Sequence, residues 1–243
     1  MRQSLIIIPT YNEIENIGLM IDALMASYEY AHVLIIDDNS PDGTAQLVQK
    51  RQIDFPSKLF LEKRQGKLGL GTAYIHGFIW ALRRDYEYIF EMDADFSHNP
   101  EDLKHLYDAC SNGNADLAIG SRYIKGVNVV NWPLSRILLS YGASIYVRFI
   151  TGMPVKDATA GFVCYKASLL RRINLDTIKF VGYAFQIELK FKAWLLKANI
   201  VEVPVIFTDR KRGKSKMSGN IISEAVIGVL SMKLKSILGK LEL

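Results

Sequence analysis

The residues best equipped for chemistry lie in the stretch Glu91-Met92-Asp93-Ala94-Asp95-Phe96-Ser97-His98-Asn99-Pro100, directly after the apolar run Tyr88-Ile89-Phe90. Two carboxylates one residue apart point to opposite faces of an extended chain. Where a strand gives way to a loop, however, the chain turns, and both can reach one divalent ion and a phosphate bound to it. The same residues also suit an acidic loop capping a helix that starts near Pro100, and a lone Asp-x-Asp does not separate the two readings.

The surrounding elements give those carboxylates a setting. Residues 4–9 are a continuous, isoleucine-rich apolar run, the mark of a strand buried on both faces of a parallel sheet. A helix is expected next, with Asn12 as its cap, Glu13 and Glu15 at its positive end, and Ile14, Ile17, Ile21 and Leu24 at helical spacing. Residues 33–36, 58–62, 88–90 and 116–119 read as further strands, with helices at 73–83 and 100–110 between them. Such alternation predicts a doubly wound parallel sheet, in which ligands bind beyond the carboxyl ends of the strands. Tyr11, Glu13, Asp37, Asp38, Asp93, Asp95 and Arg122 all fall at those ends. Each is weak alone, and their shared edge is what suggests a site. The adjacent Asp37 and Asp38 repel unless something shares their charge, and Asp42 or Thr44 can cap the helix that follows them. The glycines of 66–73 precede a helix as a phosphate-cradling loop would. Their spacing is neither G-x-G-x-x-G nor G-x-x-x-x-G-K-[ST], so they read as a tight turn that lets the helix pack close.

The chain has 243 residues, 49% of them hydrophobic, enough for a substantial core. Its net charge of +5 hides an asymmetry: residues 1–120 carry 10 Lys/Arg against 18 Asp/Glu, residues 121–243 carry 20 against 7. The second half therefore suits an anionic partner. Cys110 and Cys164 have no metal-like spacing, and with no secretory leader a reduced cytosolic compartment is the default. No segment matches the roughly 20 clean apolar residues of a spanning helix. No repeat or linker divides the chain, which reads as one domain: a half at 1–120 and a half at 121–243 that ends in an amphipathic helix.

In the second half, Arg136 and Arg148 flank an amphipathic stretch at 134–150, whose Ile137, Leu138, Tyr141, Ile145 and Val147 could form an apolar face. It reads equally as a core helix with solvated arginines. A strand is expected at 162–165, a helix at 183–197 carrying Gln186 and Glu188, and another strand at 200–207. Then come five cations in seven residues, Arg210 to Lys216, around Gly213, a loop suited to closing over phosphates. The apolar face of the last helix, 221–238, could rest on a membrane or pack on its own domain.

Matching runs extend in order along nearly the whole chain: Pro9-Thr10-Tyr11-Asn12-Glu13, Asp37-Asp38-Asn39-Ser40-Pro41-Asp42-Gly43-Thr44, Gly69-Leu70-Gly71-Thr72-Ala73, Met92 to His98, Gly120-Ser121-Arg122-Tyr123, Trp132-Pro133-Leu134 reaching Arg136, Gly182-Tyr183-Ala184-Phe185-Gln186-Ile187-Glu188, and Asp209-Arg210 to Ser215-Lys216. In these the chain resembles family 2 glycosyltransferases of the nucleotide-binding A-type fold. The Ser-Pro-Asp-Gly-Thr, Gly-Tyr-x-Phe-Gln and Arg-x-x-Gly-x-Ser-Lys runs narrow the resemblance to dolichol-phosphate (polyprenol-phosphate) mannose synthases.

The resemblance implies an α/β, mostly parallel central sheet flanked by helices, with the first half serving nucleotide sugar and metal and the second the acceptor. It implies that Pro9, Tyr11, Glu13 and Asp38 bind base and ribose, with Asp37 supporting that loop. Asp93 would contact nucleotide and metal, and Asp95 would bind Mg²⁺ or Mn²⁺ directly. Arg122 and Arg136 would take the acceptor phosphate, Arg210 and Lys216 would close over the phosphates, and Gln186 is a substrate-binding candidate. The implied reaction is inverting transfer of a hexose, mannose from GDP-mannose first, to a polyprenyl phosphate at the cytoplasmic face of a membrane, with peripheral contact and no nucleic-acid partner. UDP-glucose as donor and a saccharide as acceptor are alternatives on the same fold. A magnesium phosphohydrolase fits Ser97 and the basic loop poorly. Two departures stand out: Val163 occupies a position where many relatives carry arginine, and the chain ends at Leu243 where some continue into transmembrane helices, so attachment is expected to be peripheral or through a partner.

Overall fold

The computed structural model describes residues 1–182, 184–210, 212 and 220–243, without the side chains of 220–225. The first half alternates as expected: β1 (Ser4–Thr10), α1 (Ile14–Ser27), β2 (Ala31–Asp37), α2 (Thr44–Asp54), β3 (Leu59–Lys63), α3 (Leu70–Leu82), β4 (Tyr88–Glu91), α4 (Leu103–Ser111) and β5 (Leu117–Ser121). The second half adds β6 (Val129–Val130), α5 (Leu134–Thr151), β7 (Val163–Lys166), α6 (Ala167–Leu170), α7 (Ala184–Leu195), β8 (Ile200–Pro204), β9 (Phe207–Thr208) and α8 (Asn220–Ile237).

Among the described residues, seven strands form one sheet in the order β3-β2-β1-β4-β7-β5-β8. It is mostly parallel, as the resemblance implied, whereas the alternation alone predicted a parallel sheet. β7 runs antiparallel to both β4 and β5, because the chain enters it from the cleft edge after α5 and must run back through the sheet. The strand expected at 200–207 is also broken. Its end leaves the main sheet at Val205 and Ile206, and β9 pairs with β6 in a separate two-stranded sheet at the cleft.

One apolar core lies under α3 and α7, from Leu5, Ile7, Phe78, Tyr165 and Phe185, and the other under α1, α2 and α4, from Ile6, Ile8, Ile21, Ile35 and Phe90. Alternation along β1 sends Ile6 and Ile8 to one core and Leu5 and Ile7 to the other, which is why its sequence is apolar throughout. Cys110 and Cys164 are buried and reduced.

Two local expectations change. Asn12 does not cap α1. Its φ is 55°, and the helix start is bonded from the loop after β2: Ser40 Oγ accepts from the Asn12 amide, Thr44 Oγ1 from Glu13 and Asp42 Oδ2 from Ile14, each at 3.0 Å. Asp42 also accepts from the Thr44 amide, at the start of α2. The apolar face expected on α5 is not a core face either: Val147 is buried, but Leu138 is 63% exposed and Ile145 50%. α8 contributes Val229 and Met232 to the interior and leaves Ile227, Leu234 and Ile237 exposed. Lys233 Nζ donates to the Thr151 carbonyl at the end of α5, a charge well placed at a helix C-terminus, and ties the two helices together. Among the described residues, no helix is long and apolar enough to cross a membrane.

The glycines before α3 are a tight turn, as their spacing suggested. The Gly71 amide donates to the Val181 carbonyl, and a Cβ on Gly71 would lie 2.7 Å from the Phe180 carbonyl oxygen and 2.9 Å from Phe185 Cβ. Gly71→Ala should therefore destabilise the fold by about 1–3 kcal/mol through overpacking, read as a lower urea midpoint at unchanged slope.

Candidate active site

The carboxyl ends of β1, β2, β4 and β5 open into a single cleft of about 850 Å³, with Pro9, Tyr11, Glu13 and Asp38 at one end. The charge of the Asp37-Asp38 pair is handled in two ways. Asp37 turns inward and is fully buried, accepting from Thr10 Oγ1 (2.9 Å), Ser40 Oγ (2.6 Å) and the Ser40 amide (2.9 Å). It supports the loop and does not line the cleft. Asp38 faces the cleft and is held by Arg64, with Nε to Oδ1 at 2.6 Å and Nη2 to Oδ2 at 2.8 Å. Arg64 also donates to Thr72 Oγ1 and the Gly69 carbonyl, so one guanidinium fixes both the acidic loop and the glycine turn. A bidentate pair of this kind sets the plane of the carboxylate as well as its position. Lys67 lies over the Tyr11 ring, 5.2 Å from its centre.

At the centre, Asp93 and Asp95 follow β4 and line the cleft. Asp95 is nearly buried. Its Oδ1 accepts from the Ser97 amide at 3.0 Å, and its Oδ2 lies 3.0 Å from Arg210 Nη2. His98 is stacked on Phe162 and accepts at Nδ1 from the Asp93 amide. Burial pushes this imidazole down to about 4, so near neutral pH it is uncharged and carries its proton on Nε2. Ser97 and His98 thus hold the backbone that carries the carboxylates, in keeping with loop and helix-entry roles.

Beneath them Glu91 is fully buried, and Gln186 Nε2 donates to its Oε2. Burial raises Glu91 to about 8, against the pull of Lys190, and lowers Lys190 to about 8, against the pull of Glu91. Val163, the arginine substitute, pairs with Glu91 across β4 and β7. The positive charge near Glu91 comes instead from α7.

At the far end stand Arg122 and Arg136. Arg122 is held by the fully buried Asp157, which accepts from its amide (2.9 Å), Nε (2.8 Å) and Nη2 (2.6 Å), and by Thr159 Oγ1 (2.9 Å). Tyr123, Trp132 and Phe207 surround its guanidinium within 5.2–5.6 Å. Arg136 lies 3.9 Å over the Trp132 ring and pairs with Asp209 at 2.8 Å. Beyond them the cleft wall becomes apolar: Leu138, Leu139, Tyr146 and Val147 from α5, and Val226 and Val229 from α8.

Of the residues expected from the sequence, Pro9, Tyr11, Glu13, Asp38, Asp93, Asp95, Arg122, Arg136, Gln186 and Arg210 all line this cleft. Lys216 lies outside the described residues. Arg64, Asp157 and Lys190 were missed. The unbalanced Asp37-Asp38 pair was a signal for a cation near Asp38, but nothing local to Asp157 or Lys190 marks their partners. Among the described residues, no three His, Cys, Asp or Glu side chains gather into a closed metal cage. Two carboxylates suit a hard cation that completes its shell with phosphate oxygens and water, as Mg²⁺ and Mn²⁺ do, better than a structural zinc. Arg210 beside Asp95 Oδ2 shows that this oxygen already attracts positive charge.

Known proteins match this chain in sequence and in fold. The model of the family described as Glycosyl transferase family 2 matches residues 5–178. The chain is 46% identical over 228 residues to a polyprenol monophosphomannose synthase of Mycolicibacterium smegmatis, covering 94% of this chain and 86% of that protein. It is 47% identical over 225 residues to an undecaprenyl-phosphate mannosyltransferase of Micrococcus luteus, covering 93% and 91%. A dolichol-phosphate mannosyltransferase of Pyrococcus furiosus is 37% identical over 226 residues, covering 90% of this chain and 60% of that one. Among solved structures, glucosyl-3-phosphoglycerate synthase of Mycobacterium tuberculosis in complex with Mn²⁺ and UDP-glucose superposes with a TM-score of 0.68 at 16% identity, over 99% of this chain and 80% of that one. That likeness is one of fold alone, and it is the A-type fold expected from the sequence.

Proposed function

The chain belongs to glycosyl transferase family 2 and is a glycosyltransferase, and from that premise we propose that it transfers a mannosyl group from GDP-mannose to the phosphate of a polyprenyl phosphate at a membrane surface. The observation that carries the proposal is the continuity of the cleft, from Asp38 through Asp95 and Arg210 to an apolar end between α5 and α8. A nucleotide sugar suits the first end and a phosphate on a hydrocarbon chain the second. The names of the curated relatives support the same donor group and acceptor class.

In this reading residues 1–120 serve the donor and residues 121–243 the acceptor, within one domain. Tyr11, Glu13 and Asp38 hold base and ribose, and Asp93 and Asp95 hold Mg²⁺ or Mn²⁺. The bound ion supplies neutralisation of the diphosphate charge. Arg210, released from Asp95, moves onto the departing phosphates with Lys216. Arg122 and Arg136 position the acceptor. A phosphate monoester with a second pKa of about 6 is already anionic near neutral pH, so it needs orientation more than a base. In-line attack inverts the anomeric centre, and a product of retained configuration would overturn this mechanism.

The exposed Leu134, Leu138, Ile145 and Phe149 of α5 and Ile227, Leu234 and Ile237 of α8 support peripheral contact with the membrane, at its cytoplasmic face in this proposal. Incubation with radiolabelled GDP-mannose, UDP-glucose or other nucleotide sugars, polyprenyl phosphate and Mg²⁺ or Mn²⁺ tests the whole reading. Labelled lipid from GDP-mannose is the expected result, and free phosphate without labelled lipid would point to hydrolysis instead. Arg136→Ala should raise the KM for polyprenyl phosphate about 10-fold or more, from loss of a charge-assisted contact, and leave the KM for nucleotide sugar nearly unchanged. Equal effects on both would make Arg136 structural.

A further inference from the structure

Glu91 and Lys190 are fully buried and neither lines the cleft, yet both bond to groups that do. Gln186 Nε2 donates to Glu91 Oε2, while Lys190 Nζ donates to Gln186 Oε1 at 3.1 Å, to the Gln186 carbonyl at 3.4 Å and to the Ala160 carbonyl at 2.6 Å. All three ammonium protons have acceptors. Apolar side chains of similar volume would fill the same space without desolvating two ionisable groups. The polar groups do something that such side chains cannot. The two ends of an amide have nearly the same shape, and here a carboxyl oxygen on the nitrogen and an ammonium on the oxygen allow only one orientation. That orientation leaves Nε2 with a second N–H. A Cβ at Gly161, another residue of the cleft wall, would lie 3.8 Å from that nitrogen, so the glycine keeps the amide uncovered. The carbonyl held by Lys190 also belongs to the loop whose Asp157 and Thr159 hold Arg122.

We infer that Lys190 and Glu91 are positioning residues for the reaction proposed above: they fix the Gln186 amide as a hydrogen-bond donor to an oxygen of the bound substrate, and Lys190 keeps the Ala160 loop in place beside it. The inference rests on that functional reading. The test is the double variant Glu91→Met/Lys190→Met, which removes both polar groups together, beside the isosteric Glu91→Gln, which keeps an acceptor for Gln186. Each is assayed for kcat and for the KM of the donor, with thermal unfolding in parallel. The double variant should keep its thermal midpoint within a few degrees of wild type while kcat falls roughly 10- to 100-fold, the scale of a small misplacement, with donor KM within about threefold. Glu91→Gln should fall between it and wild type, and decides the matter if the double variant does not fold. A double variant, or Glu91→Gln, at the wild-type kcat would reduce the pair to core filling. A rise in donor KM alone would assign the amide to ground-state binding and overturn the inference. Failure of the functional reading looks different, as a wild-type protein that makes no labelled lipid. Hydrolysis of the nucleotide sugar, measured on the same variants, then supplies the comparison of rates.

Discussion

Asp95→Asn should lower kcat/KM for sugar transfer by about 10³-fold or more, at any concentration of Mg²⁺ or Mn²⁺. The substitution changes no volume. The retained oxygen can still accept from the Ser97 amide, so the loop should keep its shape. What is lost is a full negative charge in a nearly buried position, facing the place where the donor diphosphate is expected and now 3.0 Å from Arg210. A neutral amide attracts neither a divalent ion nor that guanidinium, and higher metal concentration cannot restore a ligand charge. The check is a metal titration of initial rate with thermal unfolding of the same preparation. A folded variant that regains activity at high metal would remove Asp95 from the metal site.

Asp157→Ala should be the most destabilising of the substitutions considered, by about 3–5 kcal/mol, the range for breaking a buried ion pair on one side. Asp157 is fully buried and takes three hydrogen bonds from Arg122. Its own amide donates to Glu202 Oε1 at 2.9 Å, so the loop is pinned from both sides. Without the carboxylate, Arg122 keeps a buried charge that Thr159 and three aromatic rings do not neutralise. A second change that removes that charge, Arg122→Met, should recover part of the lost stability and none of the activity. Denaturant unfolding of the single and double variants measures the coupling directly. Full additivity would mean that the two side chains do not depend on each other.

The sequence carried most of this architecture because the first half obeys simple rules. Apolar runs such as Leu5 to Ile8 fit only strands buried on both faces, and the chemistry-bearing residues sit where those runs stop. The sheet edge was therefore visible before any contact was. The second half was less legible. The direction of β7 depends on where α5 and its following loop deliver the chain, which no local pattern encodes. α5 could be read as a core helix or not, because periodicity reports that a face is apolar, and not what covers it. Asp157 and Lys190 escaped notice for a related reason. Their importance comes from partners 35 residues away at Arg122 and in a different element at Glu91, whereas the acidic loop and the basic loop announce themselves by composition. Asp37 shows the converse. Its place in a recognisable run marked it as support for the loop that carries Asp38, and its buried bonds to Thr10 and Ser40 hold that loop.

The antiparallel insertion of β7 also bears on how the chain is made. β4 ends at Glu91 and β5 at Ser121, yet the strand that joins them, Val163–Lys166, is synthesised more than 40 residues after β5. While the chain emerges from the ribosome, the nascent sheet stops at β4 with its backbone amides and carbonyls unpaired along one side, and β5 has no neighbour at all until β7 or β8 appears. An apolar strand left open in this way can pair with another chain. The first 120 residues hold the residues proposed for the nucleotide but not a closed sheet, so as a separate fragment they should associate with one another, and a version extended through Lys166 should do so far less.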